Sequence, residues 1–173
     1  MKRRLHLVSD KLCTKCGGRC CKTLPGAAEP KDFGAPNKKI LIARVSAALA
    51  SSEWCFDWWE GDPRPGRRRE RIERAYFMRP AVKGHVGERF HPAWKGECAL
   101  LTKKGCSLEY GERPVGCRGL KPIPSFDCQP AYGDKREVAI LWVPYLGALR
   151  EAGLLDGAEH VHANMLGWLG LGS

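Results

Sequence analysis

Nine cysteines occur in 173 residues. Eight fall into two groups, Cys13, Cys16, Cys20 and Cys21 near the start and Cys98, Cys106, Cys117 and Cys128 past the middle. Ionised thiols are soft donors, and clusters of them suit a soft metal ion or an iron–sulfur cluster. The Cys13-x2-Cys16 spacing is a knuckle, in which two sulfurs reach one ion about 2.3 Å away if that ion is zinc. Gly17 and Gly18 let the backbone fold round so that several sulfurs face one point. Cys20 and Cys21, taken as extended chain, point apart, and so suit two metals or two corners of a cluster better than one ion. The second group has seven, ten and ten residues between its cysteines. Alone it matches no finger pattern, but joined to the first it completes eight sulfurs. Eight are enough for two four-coordinate sites, or for one iron–sulfur cluster with cysteines to spare.

Disulfides are the competing use of such a framework. The first ten residues are basic but hold no apolar run long enough for a secretory signal. The expectation is therefore a reducing cytoplasm, where clustered cysteines bind metal or work chemically rather than cross-link. Cys55 stands apart in a tryptophan-rich stretch and is expected to pack in the core. His6, His85, His91, His160 and His162 show no spacing tied to the cysteines. Of these, His91 comes closest in sequence to Cys98.

The formal net charge is +10, and the densest basic run holds Arg67, Arg68, Arg69, Arg71 and Arg74. With Glu70 and Glu73 inside it, that run reads first as a solvated face. With nearby aromatics it is also the basis of an alternative, a zinc-stabilised nucleic-acid binder. Thiolate clusters carry negative charge that bound divalent ions only partly cancel. Lys11, Lys15, Arg19 and Lys22 flank the first group, and Lys103, Lys104, Arg113, Arg118 and Lys121 thread the second, where they can offset it. Asp57, Glu60 and Asp62 lie close together among aromatics. An open metal position beside Asp57 or Glu60 would make a metalloenzyme, although pairing with arginines such as Arg79 is the simpler expectation. No nucleophile elbow, phosphate loop or dinucleotide fingerprint is present.

The elements that must position these groups are short. Twenty glycines and twelve prolines interrupt the chain too often for long helices or a large sheet. Lys38 to Ser51 carries Leu41, Ile42, Val45, Ala48 and Leu49 at helical spacing. Trp54, Trp58 and Trp59 should anchor the core. Ala75 to Arg79, bounded by Pro80, reads as extended. Residues 81–133 should be loops with short helical turns. Asp134 and Glu137 resemble a capping box opening a helix that Pro144 kinks or divides. Met165, Leu166 and Trp168 suggest one more short helix in the tail. The longest mostly apolar stretch, Val138 to Leu149, is too short and broken to span a bilayer, so no membrane is expected.

Cys13-x2-Cys16-Gly-x2-Cys20-Cys21, followed by Cys98-x2-Leu101-Thr-x2-Gly105-Cys106-Ser-Leu-x-Tyr110-x2-Arg113-Pro114-x2-Cys117-Arg118, resembles the bacterial and archaeal cysteine-cluster proteins described as carrying a zinc- or iron-chelating domain. Phe56 to Asp62 and Tyr76-x2-Arg79-Pro80 look like one branch of that family, so the resemblance spans roughly residues 13–128. It implies a metal-binding domain with no assigned substrate. By that resemblance Cys13, Cys16, Cys20, Cys21, Cys98, Cys106 and Cys117 are ligands, Cys128 is the eighth, and Arg113 and Arg118 support them.

Taken together, the sequence predicts one small domain over 1–173, mainly α with irregular metal-stapled loops and little β. It has a cysteine-cluster region at 13–128 and a C-terminal helical segment at 134–173. The expected cofactor is an iron–sulfur cluster or iron, with zinc the close alternative. The expected role is structural or redox, exercised with a protein partner.

Overall fold

Two aromatic stretches set the centre of the fold. Trp54–Glu60 (β1) and Arg74–Pro80 (β2) pair antiparallel, from Trp54 opposite Pro80 to Glu60 opposite Arg74. The computed structural model describes residues 15, 17–66, 72–91, 95–121, 129–130 and 135–159. Among these the chain is a mixed α and β protein, which corrects the expectation of a mainly α fold with little β. The extended form of Ala75 to Arg79 follows the sequence. Its partner was not visible there, because β1 buries Cys55, Phe56 and Asp57 in succession and so lacks the alternation that marks a half-buried strand.

Single bridges cover both edges of the hairpin at its middle, which protects exposed backbone from other pairings. On one side the Ala28 N–H donates to the Met78 carbonyl at 2.8 Å. On the other, Phe56 accepts from the His91 N–H at 3.0 Å and donates to the Arg89 carbonyl at 2.8 Å.

Helix α1, Lys38–Ala50, begins at Asn37, whose side chain accepts from the Ile40 N–H at 3.0 Å, satisfying one free donor of the first turn. It buries Leu41 and Val45, as its spacing predicts. Val115–Arg118 forms a single helical turn, α2. Helix α3, Lys135–Trp142, packs on β1 and β2. Pro144 divides it from α4, Leu146–Glu151, through a 3-10 turn at Val143–Tyr145, because proline lacks the N–H that would continue α3.

The core gathers Phe56, Phe77, Met78, Leu41, Val45, Trp142 and Leu149. Trp142 is its fully buried indole, and its Nε1–H donates to the Ala28 carbonyl at 2.7 Å. Trp54, Trp58 and Trp59 are only half-buried and pack against the outside of that core. The role expected of these three therefore falls largely to Trp142.

The expected loop region also contains two short pairings, Leu101–Thr102 (β3) with Gly105–Cys106 (β4) and Leu120–Lys121 (β5) with Gln129–Pro130 (β6). The cap at Asp134 and the tail residues Met165, Leu166 and Trp168 lie outside the described residues. Among the described residues no helix is long and apolar enough to cross a membrane.

Candidate metal centre

The chain brings the described cysteines together by extending the hairpin irregularly beyond β2. Val82 pairs with Cys98, Lys83 N–H donates to the Glu97 carbonyl at 2.7 Å, and Ala99 N–H donates to the Ala81 carbonyl at 2.9 Å. The far side of that segment meets the turn that carries Cys20 and Cys21. Cys98 N–H donates to the Cys21 carbonyl at 2.6 Å, and Gly96 N–H to the Thr23 carbonyl at 2.8 Å. Cys106 arrives through the β3–β4 hairpin, directly opposite Leu101, which packs with Cys98, Leu100 and Cys21.

Cys117 arrives on α2. The Gly116 N–H donates to the Ala27 carbonyl at 2.8 Å, and the Gly26 N–H donates to the Cys117 sulfur. These contacts are so close that a methyl at Gly26 would lie 2.5 Å from the Cys117 nitrogen and 2.7 Å from its Sγ. Pro114 cannot cap α2 with its side chain. Asp32 does so from 83 positions away, its Oδ2 accepting from the Val115 N–H at 2.8 Å and from the Glu29 N–H at 2.9 Å. Its Oδ1 accepts from Arg118 Nη2.

Cys20 and Cys21 sit in a 3-10 turn, Cys20–Lys22, not in extended chain. Their sulfurs therefore lie 3.9 Å apart instead of diverging. Four sulfurs held tetrahedrally at about 2.3 Å from one zinc ion lie about 3.8 Å apart, so this pair fits two ligands of a single ion. The turn corrects the assumption of extended chain, on which the pair would suit two metals or two corners of a cluster. No three cysteine sulfurs among the described residues lie within 4.8 Å of one another. Cys13, Cys16 and Cys128 lie outside the described residues, and every described cysteine is free of a disulfide.

The thiols influence one another electrically. A shared hydrogen bond pulls one member of the vicinal pair, Cys20, below the usual thiol range and drives Cys21 above it. Burial, opposed by the Leu100 N–H and aided by charge on Cys106 and Cys20, pushes Cys98 up to about 11. Burial pushes Cys117 up to about 12, against the Gly26 N–H and with added repulsion from Cys98, Cys20 and Cys106. Desolvated, mutually repelling thiols that accept backbone N–H bonds form a donor set that a soft cation would relieve.

The two arginines have different placements. Arg113 lies near enough to favour the Cys20 thiolate, and it also donates from Nε to the Leu108 carbonyl at 3.2 Å and covers the Tyr110 ring. Arg118 donates from Nε to the Arg113 carbonyl at 2.7 Å and to Asp32, so it steadies the α2 turn. Lys15, Arg19, Lys22, Lys103 and Lys104 are exposed around the centre.

Cys55 is fully buried, as expected, and burial pushes its thiol up to about 11. Asp57 is buried against Arg79 Nε at 3.0 Å and Lys135 Nζ at 2.9 Å. Glu60 pairs with Arg74 at 3.3 Å, and Asp62 with Arg64 at 2.6 Å. The arginine pairing thus accounts for all three carboxylates. Arg74 opens β2, while Arg67, Arg68, Arg69 and Arg71 of the basic run lie outside the described residues.

Gly26, Gly116 and Asp32 were not singled out from sequence. Pro25-Gly26 reads as ordinary loop punctuation, and a cap supplied from 83 residues away leaves no local signature. Compared with known proteins, the chain matches no family model, no curated protein and no solved structure.

Proposed function

We propose that this chain is a thiolate metal-binding protein of the cysteine-cluster kind its sequence resembles. It holds an iron–sulfur cluster or iron, with zinc as the close alternative. Cys20, Cys21, Cys98, Cys106 and Cys117 contribute sulfurs, and Cys13, Cys16 and Cys128 complete the set. The observation that carries this reading is the gathering of cysteines from four separate segments around a vicinal pair whose sulfurs are 3.9 Å apart, the spacing of two ligands on one ion. Bound metal would tie the first cysteine group, the Cys98 segment, the β3–β4 hairpin and α2 together, which is a structural role by itself. A cluster there would add one-electron chemistry. In that case the surrounding lysines and arginines would present a basic face to an acidic protein partner. Such thiolates need a reducing compartment, which makes the cytoplasm the proposed location.

Purification without oxygen, followed by an absorption spectrum and elemental analysis, tests this. A brown protein with iron and sulfide supports the cluster, and a colourless one with stoichiometric zinc supports the alternative. Protein that carries neither and takes up neither when reconstituted under reducing conditions would sink the proposal.

A further inference from the structure

A second group of potential ligands lies outside the cysteine centre. Between Val82 and Phe90 the chain runs through tight turns, and its backbone is held at several points. His85 N–H donates to the Val82 carbonyl at 3.0 Å, Gly87 N–H to the Ser52 carbonyl at 3.1 Å, and His91 N–H to the Phe56 carbonyl at 3.0 Å. The buried Arg79 guanidinium donates from Nη2 to the His91 carbonyl and stands 3.3 Å from its Nδ1. This frame places His85, Glu88 and His91 so that one donor atom from each lies within 4.8 Å of the other two. His85 Nδ1 is 2.9 Å from Glu88 Oε1, and the two imidazole centroids are 3.8 Å apart.

We propose that His85, Glu88 and His91 form a second metal site, free of thiolates, that takes a borderline divalent transition-metal ion such as zinc. Two imidazoles and one carboxylate are a ligand set that zinc accepts, with bonds of about 2.0–2.2 Å and a fourth position left for water. Ligands at those bond lengths are separated by roughly 3.3–3.5 Å in a tetrahedral shell. The side chains of His85 and Glu88 are half-exposed and can close that gap by rotation while the backbone stays fixed. The ion would take Nε2 of His91, the ring proton moving to Nδ1, while Arg79 Nη2 keeps its bond to the His91 carbonyl. Asp57, 3.0 Å from Arg79 Nε, offsets the guanidinium charge behind the site. This inference does not rest on the thiolate proposal, since the donors and the residues differ.

The test uses the full chain with its cysteine sites saturated, titrated with zinc against a chromophoric chelator. The wild type is expected to bind one further equivalent, weaker than the thiolate class. His85→Ala and Glu88→Gln should each weaken that equivalent about tenfold or more. Glu97→Gln, a nearby exposed carboxylate paired with Lys83, should leave it unchanged. In the imidazole proton–nitrogen spectrum, the His85 and His91 resonances should move on addition of zinc. Unchanged melting of the variants without zinc would show that they fold. The inference is overturned if the wild type binds nothing beyond its thiolate class, or if the further equivalent survives in the His85→Ala/Glu88→Gln double variant.

Discussion

Replacing Gly26 by alanine puts a methyl group 2.5 Å from the Cys117 nitrogen, 2.6 Å from the Gly116 carbonyl carbon and 2.7 Å from the Cys117 Sγ. Two of these three neighbours are backbone atoms, so no side-chain rotation relieves the clash. The segment carrying Gly26 must separate from α2. Overpacking of this kind costs about 1–3 kcal/mol, and the separation also loosens the Gly26 N–H bond to the Cys117 sulfur, worth about 1 kcal/mol. The expected loss is about 2–4 kcal/mol, or roughly 4–16 °C in melting temperature for a chain of this length. Urea and thermal unfolding of metal-free, reduced protein measure it. Gly147→Ala is the control. Gly147 lies within α4, a methyl there meets nothing within 4 Å, and alanine should stabilise that helix by about 0.5–1 kcal/mol. Metal content after reconstitution supplies a second readout, because moving Cys117 away from Cys20 and Cys98 should lower it. If Gly26→Ala melts with the wild type and keeps its metal, the close packing of residues 26 and 27 on α2 does not position Cys117, and the construction of the centre given above is wrong.

Asp32→Asn should destabilise by about 2–3 kcal/mol, because an amide cannot accept from Glu29, Val115 and Arg118 together and leaves a donor facing a donor; an unchanged urea midpoint would count against Asp32 as the cap of α2. Arg79→Met alone should cost about 3–5 kcal/mol by stripping a partner from buried Asp57, whereas Asp57→Leu/Arg79→Met should cost less than the single change, and calorimetry showing the double variant to be the worse of the two would contradict that account. Metal uptake should release protons, since Cys98 near 11 and Cys117 near 12 hold theirs at neutral pH until a metal displaces them. Affinity should then rise with pH by about one log unit per pH unit for each displaced proton, and indicator-dye measurements finding no release on metal addition would refute the sign.

The sequence by itself carried the cysteine grouping, the first helix and the break at Pro144. Each is a local signal: a spacing, an apolar period, or a missing N–H. It also placed Cys55 in the core and paired the carboxylates with arginines, which follows from burial tendencies of single residue types. It misjudged the fold class because β1 buries three consecutive residues, one of them the charged Asp57, and a strand without alternation does not declare itself. It did not give the backbone at Cys20-Cys21, on which the direction of adjacent side chains depends, and a 3-10 turn brings together sulfurs that extended chain would part. Only the tertiary structure decided that Gly26 lies against Cys117, that Asp32 caps a helix 83 residues away, and that His85, Glu88 and His91 converge. These are contacts between segments distant in sequence, fixed by how the hairpin and its extensions pack, and one chain read residue by residue contains no term for that packing.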